Sequence, residues 1–153
     1  MDSKIAGQLK PDQHDSGLYK SEPLEIPYFN NKKLPIGFVE AEHKEYMDTA
    51  DIVLQNFLKL NSLNKINDSA MVHEYYAETL EHGYTKPLNI SSIEDIWKFA
   101  EPEVIIIYWD ENANFYLCVS CICEWEQEHG LELVFENGQA MTRAKGHDGH
   151  FTD

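Results

Sequence analysis

Every cysteine of the chain and three of its seven histidines lie between Cys118 and His150. The chemistry-bearing side chains there are Cys123, Glu124, Glu126, Glu128, His129, His147, Asp148 and His150. Imidazole, thiolate and carboxylate together are the ligand types of zinc or a similar divalent metal. Neutral histidine beside carboxylate is also the pairing used for acid–base catalysis. His129, His147, Asp148 and His150 are therefore candidate metal ligands, with Cys123, Trp125, Glu126 and Glu128 as further candidate site residues. The spacing matches no metal signature: paired C-x-x-C motifs and H-E-x-x-H are absent. P-loop, G-x-G-x-x-G and G-x-S-x-G motifs are absent too.

The same residues have a purely structural explanation. Glu126-Gln127-Glu128 is the composition of a solvated loop, and Asp148-Gly149 is a turn signal. Trp125 can close the end of the core, with Cys121 as a small buried hydrophobe. His129 can bond backbone where the next strand starts. Cys118, Cys121 and Cys123 fall on a strand pattern, not at a helix N-terminus that would lower a thiol pKa. Cys118 and Cys121 point to opposite faces, and Cys121 and Cys123 project in parallel, so none suits a disulfide. Packing is the reading of all three, and free thiols fit a reducing compartment.

The elements around these residues must bring them together. Leu131–Glu136 alternates apolar and polar, the period of a half-buried strand. Asn137-Gly138 is the preferred pair for a two-residue type I′ turn, and residues 139–145 return as the partner strand. A two-residue turn places Phe135 opposite Ala140, Leu133 opposite Thr142, Leu131 opposite Ala144 and Glu132 opposite Arg143. Carried outward, His129 lies near Gly146 and Glu128 near His147. The loop 124–130 and the tail 146–150 then share one end of the sheet.

Upstream, Val104–Trp109 and Phe115–Cys123 are apolar on both faces and read as central strands. With the hairpin they make a four-strand antiparallel meander. Their double-sided apolarity predicts cover on both faces, from the N-terminal hairpin or from a second copy of the chain. Residues 42–60 and 68–82 carry helical stripes, with 61–67 as the turn between an antiparallel pair. Ser91-x-x-Glu94 opens a short helix that Pro102 ends. Leu24–Phe29 and Leu34–Glu40 read as a hairpin, held to a sheet edge by Pro27 and Pro35. Residues 1–21 are polar without a sustained period and read as a mobile arm, leaving 22–153 as a single domain. The fold class is α+β: a mainly antiparallel sheet, N-terminal hairpin plus C-terminal meander, packed with two to three helices.

Composition bounds the function. At 153 residues, 42% hydrophobic and 12% aromatic, the chain can fold without metal or disulfide. The 27 acids against 12 bases give a net charge of −15. That disfavours nucleic acid, whose binders neutralise phosphates, and it suits a basic protein partner. No membrane-length apolar run is present. The polar start lacks a secretory signal, so the expected location is cytoplasmic.

W-x-x-E-H-G at Trp125, Glu128, His129 and Gly130, F-x-x-G at Phe135 and Gly138, and D-G-H at Asp148–His150 resemble a bacterial family catalogued as a domain of unknown function. Phe57-Leu58, Tyr75-Tyr76 and Ile96-Trp97 extend the resemblance upstream, over roughly residues 19–152. Small acidic proteins of this sort resemble members of toxin–immunity neighbourhoods. The expected function is a non-enzymatic binding protein, most concretely an immunity-type inhibitor of a basic toxin. The alternative is a metal-binding module or metal-dependent enzyme at the His/Asp/Glu cluster, and a homodimer is the third arrangement the strand edges allow.

Overall fold

The computed structural model describes all 153 residues. Its elements are β1 (Asp2–Ser3), β2 (Gly7–Pro11), β3 (Tyr19–Ser21), β4 (Leu24–Ile26), a 3-10 turn (Pro27–Phe29), β5 (Lys32–Leu34) and β6 (Ile36–Phe38). There follow α1 (Lys44–Leu58), α2 (Ser62–Asn67), α3 (Ser69–Glu81), a 3-10 helix (Ile93–Phe99), β7 (Ala100–Trp109), β8 (Phe115–Cys123), β9 (Leu131–Glu136) and β10 (Ala140–Lys145). The main sheet has eight strands in the order β1-β2-β3-β6-β7-β8-β9-β10. Only β6 and β7 run parallel, and parallel neighbours require a crossover, which the three α-helices supply. The α+β class and the β7–β10 meander are as the sequence predicts. No helix is long and apolar enough to cross a membrane.

Residues 1–21 are not an arm: they build three strands of the sheet. Leu9 and Leu18 are buried. The buried carboxylate of Asp51 on α1 accepts the Ser3 hydroxyl and the Lys4 backbone N–H, the latter at 3.2 Å. Ser3 Oγ in turn accepts the N–H groups of Ile5 (3.2 Å) and Ala6 (2.9 Å). Strands of two to five residues are too short for a period of two to register, and what anchors them, Asp51 on α1 and strand β6, lies further along the chain.

The predicted N-terminal hairpin also divides differently. β4 and β5 pair as a separate two-stranded sheet. Pro35 breaks the run, and β6 then enters the main sheet between β3 and β7 rather than at an edge. Asn30 and Asn31 make the turn with positive φ of 56° and 65°. Residues 62–67 are helical, not a turn, because Asn61 and Asn64 form a reciprocal capping box. The box before the 3-10 helix uses Ser92 and Asp95, one residue later than predicted. Pro102 sits inside β7 at a bulge, where a missing N–H is tolerated.

One face of the sheet buries Ile105, Ile107, Leu117, Val119, Leu133 and Phe135 against the helices. Tyr28, Phe57 and Phe135 interlock there with ring centroids 4.8–5.6 Å apart. Tyr46 donates its hydroxyl to the Ile107 carbonyl at 2.5 Å and accepts Val39 N–H at 3.0 Å, tying α1 to β7. α1 packs on this face over β7 and β8, while α3 rests on β10 and on the 3-10 helix. The opposite face carries a smaller cluster, Tyr116, Cys118 and Val134, covered by the chain's own C-terminus. Phe151 lies 5.0 Å from the Tyr108 ring and 5.1 Å from Tyr116. The double-sided apolarity of β8 is thus answered within one chain.

The β9–β10 register departs from the prediction. Asn137 and Gly138 take the expected positive φ (55° and 71°), but Glu136 pairs with Ala140, one residue further along. That slip alone would send β10 to the wrong face. A bulge between Met141 and Arg143 restores the parity, so Ala144 pairs with Leu133 and Arg143 with Val134. Arg143 is therefore displaced by two residues from Glu132 but stays on its face. The turn rests on α1: Asn56 Nδ2 donates to Asn137 O at 3.1 Å. A Cβ at Gly138 would lie 2.2 Å from the Val53 carbonyl oxygen.

Candidate functional site

The loop leaving β8 is built from its own side chains. Trp125 is 1% exposed and meets the α3 rings of Tyr75 and Tyr76 edge-on at 5.8 and 6.0 Å. Cys123 donates its thiol to the Glu126 carbonyl at 3.3 Å. The Glu126 carboxylate folds back over the loop, accepting the backbone N–H groups of His129 and of Gly130, the latter at 3.2 Å. Its other oxygen meets His129 Nδ1 at 3.1 Å. Gly130 then turns into β9 with φ +64°, where a Cβ would lie 2.7 Å from the Cys121 carbonyl oxygen. Tyr75 fixes this corner from α3 by donating to Gly130 O at 2.9 Å.

The tail after β10 reaches the same end of the sheet. His147 N–H donates to His129 O at 3.0 Å, so the two segments adjoin. Their side chains diverge into three separate arrangements. Glu126, Glu128 and His129 are the one group whose carboxylate and imidazole ligand atoms all lie within 4.8 Å of one another. His147 turns to the opposite face of the sheet, its Nδ1 2.7 Å from Glu132 Oε2. Asp148 pairs with Arg143 through both oxygens, at 2.9 and 3.2 Å. His150 is exposed, its ring nitrogen 3.5 Å from Asp148, and Glu124 extends an exposed side chain from a backbone bonded to Phe99. The proposed ligands His129, His147, Asp148 and His150 are thus not gathered around one point.

Glu132 and Arg143 organise this region, and sequence reasoning paired them only with each other. Arg143 is 7% exposed and gathers the tail: besides Asp148 it donates to His150 O at 2.8 Å and to Asp153 at 2.9 Å. A signal existed, since Arg143 is the only arginine among twelve basic residues, and its planar fork suits such multiple bonding. Glu132, opposite Ser120 on β8, is 2% exposed. The apolar second face of β8 was the clue that its neighbour on β9 is buried.

The environments set the charges. Burial raises the Glu132 carboxyl above its ordinary value, with His147 and Arg143 opposing. The hydrogen bond from Arg143 holds Asp148 well below the usual carboxylate range. The hydrogen bond that His129 donates to the Glu126 carboxylate raises the His129 pKa. Partial burial opposes ionisation of Glu126, but the bonds from His129 and Gly130 outweigh it and lower its pKa. Burial pushes the Cys123 thiol up to about 11 and raises Cys118 and Cys121 as well. These thiols stay protonated and serve as packing.

Two concavities flank the molecule. One, of about 620 Å³, lies between the end of α3 and the loop, lined by acids including Glu78, Glu126, Glu128 and Asp148, with Arg143 and Lys145. The other, about 550 Å³, lies just beyond the end of β6, lined by Asp15, Tyr19, Glu40 and Glu42 and by no basic residue.

No curated protein and no solved structure matches the chain. A family model described as a domain of unknown function, DUF6985, matches residues 5–151. That match takes in every strand from β2 to β10, the helices and the tail, so the chain belongs to the DUF6985 family.

Proposed function

We propose that this protein is a non-enzymatic binding protein that receives a basic protein partner on its acidic surface, in the cytoplasm of a bacterium. The observation that carries the reading is the concavity beyond β6, where Asp15, Glu40 and Glu42 gather with no base among the lining residues. Elsewhere the few cations are largely occupied. Seven of the twelve bases (Lys10, Lys20, Lys32, Lys44, Lys98, Arg143 and Lys145) are ion-paired with acids of the same chain. The surplus of carboxylates faces solvent, where it steers cationic partners and discriminates against anionic ones. An immunity protein that neutralises a basic toxin is the specific form of this reading. Co-expression with a basic toxin encoded nearby should restore growth, and Glu40→Lys with Glu42→Lys should weaken both protection and measured affinity. Raising salt from ~50 to ~500 mM should weaken binding several-fold. Affinity indifferent to salt and to both charge reversals would overturn the proposal.

A second reading, a metal-binding module, is favoured by the ligand distances within Glu126, Glu128 and His129. It takes one of the sequence-predicted ligands, His129, and leaves His147, Asp148 and His150 outside. Glu126 Oε2 is occupied by backbone N–H groups, so Oε1 would have to leave His129 Nδ1 to serve. Elemental analysis of untagged protein should then find about one equivalent of zinc or another divalent metal, lost in His129→Ala. Metal-free protein at purification, with no uptake on dialysis against zinc, rules this reading out.

A further inference from the structure

On the sheet face opposite the helices, Glu132 presents an unusual combination. Its side chain is 2% exposed, and only one of its two oxygens has a partner. Oε2 is held by His147 Nδ1 at 2.7 Å, while Oε1 meets no donor in the protein. A buried carboxylate oxygen left this way is costly, so a native structure supplies a partner. Beside it runs a crevice of about 20 Å³ lined by Ile106, Tyr108, Cys118, Ser120, Glu132 and His147.

We infer that this crevice is a binding site for a single internal water, which donates a hydrogen bond to Glu132 Oε1. The volume decides the stoichiometry. One water needs roughly 10–15 Å³ of open space and two to four polar partners. The crevice has room for one, and Ser120, Tyr108, Cys118 and His147 line it beside the carboxylate. A transition metal is the less suitable occupant. It would need a third ligand close to Glu132 and His147, and no His, Cys, Asp or Glu ligand atom completes such a group within 4.8 Å. The water gives a buried carboxylate the second partner that β-strand geometry withholds. His147, half exposed at the crevice rim, links the pair to solvent. The inference stands apart from the proposed binding of a basic partner, since this face lies under the C-terminal tail.

The test combines a high-resolution crystal structure of the full chain with oxygen-17 magnetic relaxation dispersion, which counts long-lived internal waters. The expected result is one density peak within hydrogen-bond distance of Glu132 Oε1. The dispersion amplitude should fall by one water in Glu132→Leu, which removes the acceptor and fills the space, and should be retained in Glu132→Gln. Should Glu132→Leu not fold, Ser120→Val narrows the same crevice from β8 and should cause the same loss. A dry crevice, a peak at cation coordination distances of about 2.3–2.6 Å, or a dispersion amplitude unchanged by the filling variant would each overturn the inference.

Discussion

Replacing Arg143 with methionine should release the C-terminal tail while leaving the sheet folded. Methionine retains much of the aliphatic stem's packing and removes only the guanidinium. Three sets of bonds disappear: the two-oxygen pair with Asp148, the pair with Asp153, and the bond to the His150 carbonyl. The Asp148 and Asp153 side chains are 44% and 75% exposed, so screening limits each ion pair to about 0.5–1 kcal/mol. The carbonyl bond, made by a largely buried charged donor, adds about 1 kcal/mol. The total is about 2 kcal/mol, or roughly 4–8 °C in Tm for a chain of this size. The loss should be local. Amide hydrogen exchange in residues 147–153 should accelerate about tenfold or more, because about 2 kcal/mol is more than a factor of ten in the opening equilibrium. The core strands should change only by the global difference. The pH dependence carries a sign. Asp148 has its folded pKa depressed by Arg143, so the latch contributes fully above the ordinary aspartate value of 3.8 and is lost as pH falls toward the folded value. Wild-type tail exchange, corrected for the intrinsic rate, should therefore rise in acid, and that rise should be largely missing in Arg143→Met. A stability change below about 0.5 kcal/mol, or exchange in residues 147–153 left unchanged, would refute the latch.

Other expectations follow from the same contacts. Asp51→Ala should free β1 and β2 from α1 at a cost of about 1–3 kcal/mol, read as loss of exchange protection confined to the N-terminal strands; unchanged protection there would show that Asp51 does not hold them. Gly138→Ala forces a Cβ against the Val53 carbonyl at a positive φ, and should cost at least about 2 kcal/mol in urea unfolding; a neutral result would mean the turn does not rest on α1. Glu126→Gln should lower the His129 titration followed by NMR, since the Glu126 hydrogen bond is what raises it. The pair stabilises the loop between the carboxylate and imidazole ranges: its contribution is lost as pH rises through the raised His129 titration, and again as pH falls through the lowered titration of Glu126.

Much of this molecule is legible locally. The bounds of β8 and β9, the stripes of α1 and α3, and the Gly83 stop at φ +75° follow from periods of two and 3.6 and from residues that tolerate positive φ. Cover on both faces of β8 was likewise implied by its composition. The convergence of the loop before β9 with the tail after β10 was also accessible, because a short hairpin brings its outer ends together whatever its register.

What the sequence could not determine are the choices made between distant segments. Asp51 and Ser3 recruit the first eleven residues into the sheet through a contact forty-eight positions apart, and no local pattern encodes it. Pro35 divides β5 from β6, but only the crossover of three helices decides that β6 lies in the interior, parallel to β7. The candidate site shows the same limit most clearly. Its residues arrive at one end of the sheet, yet the two faces of the strands turn His147 away from His129 onto Glu132, and Arg143, displaced by the bulge, takes Asp148 as its partner. Backbone proximity follows from chain connectivity. Side-chain partnership depends on strand parity and on which buried charge most needs neutralising, and both are settled only when the sheet is assembled.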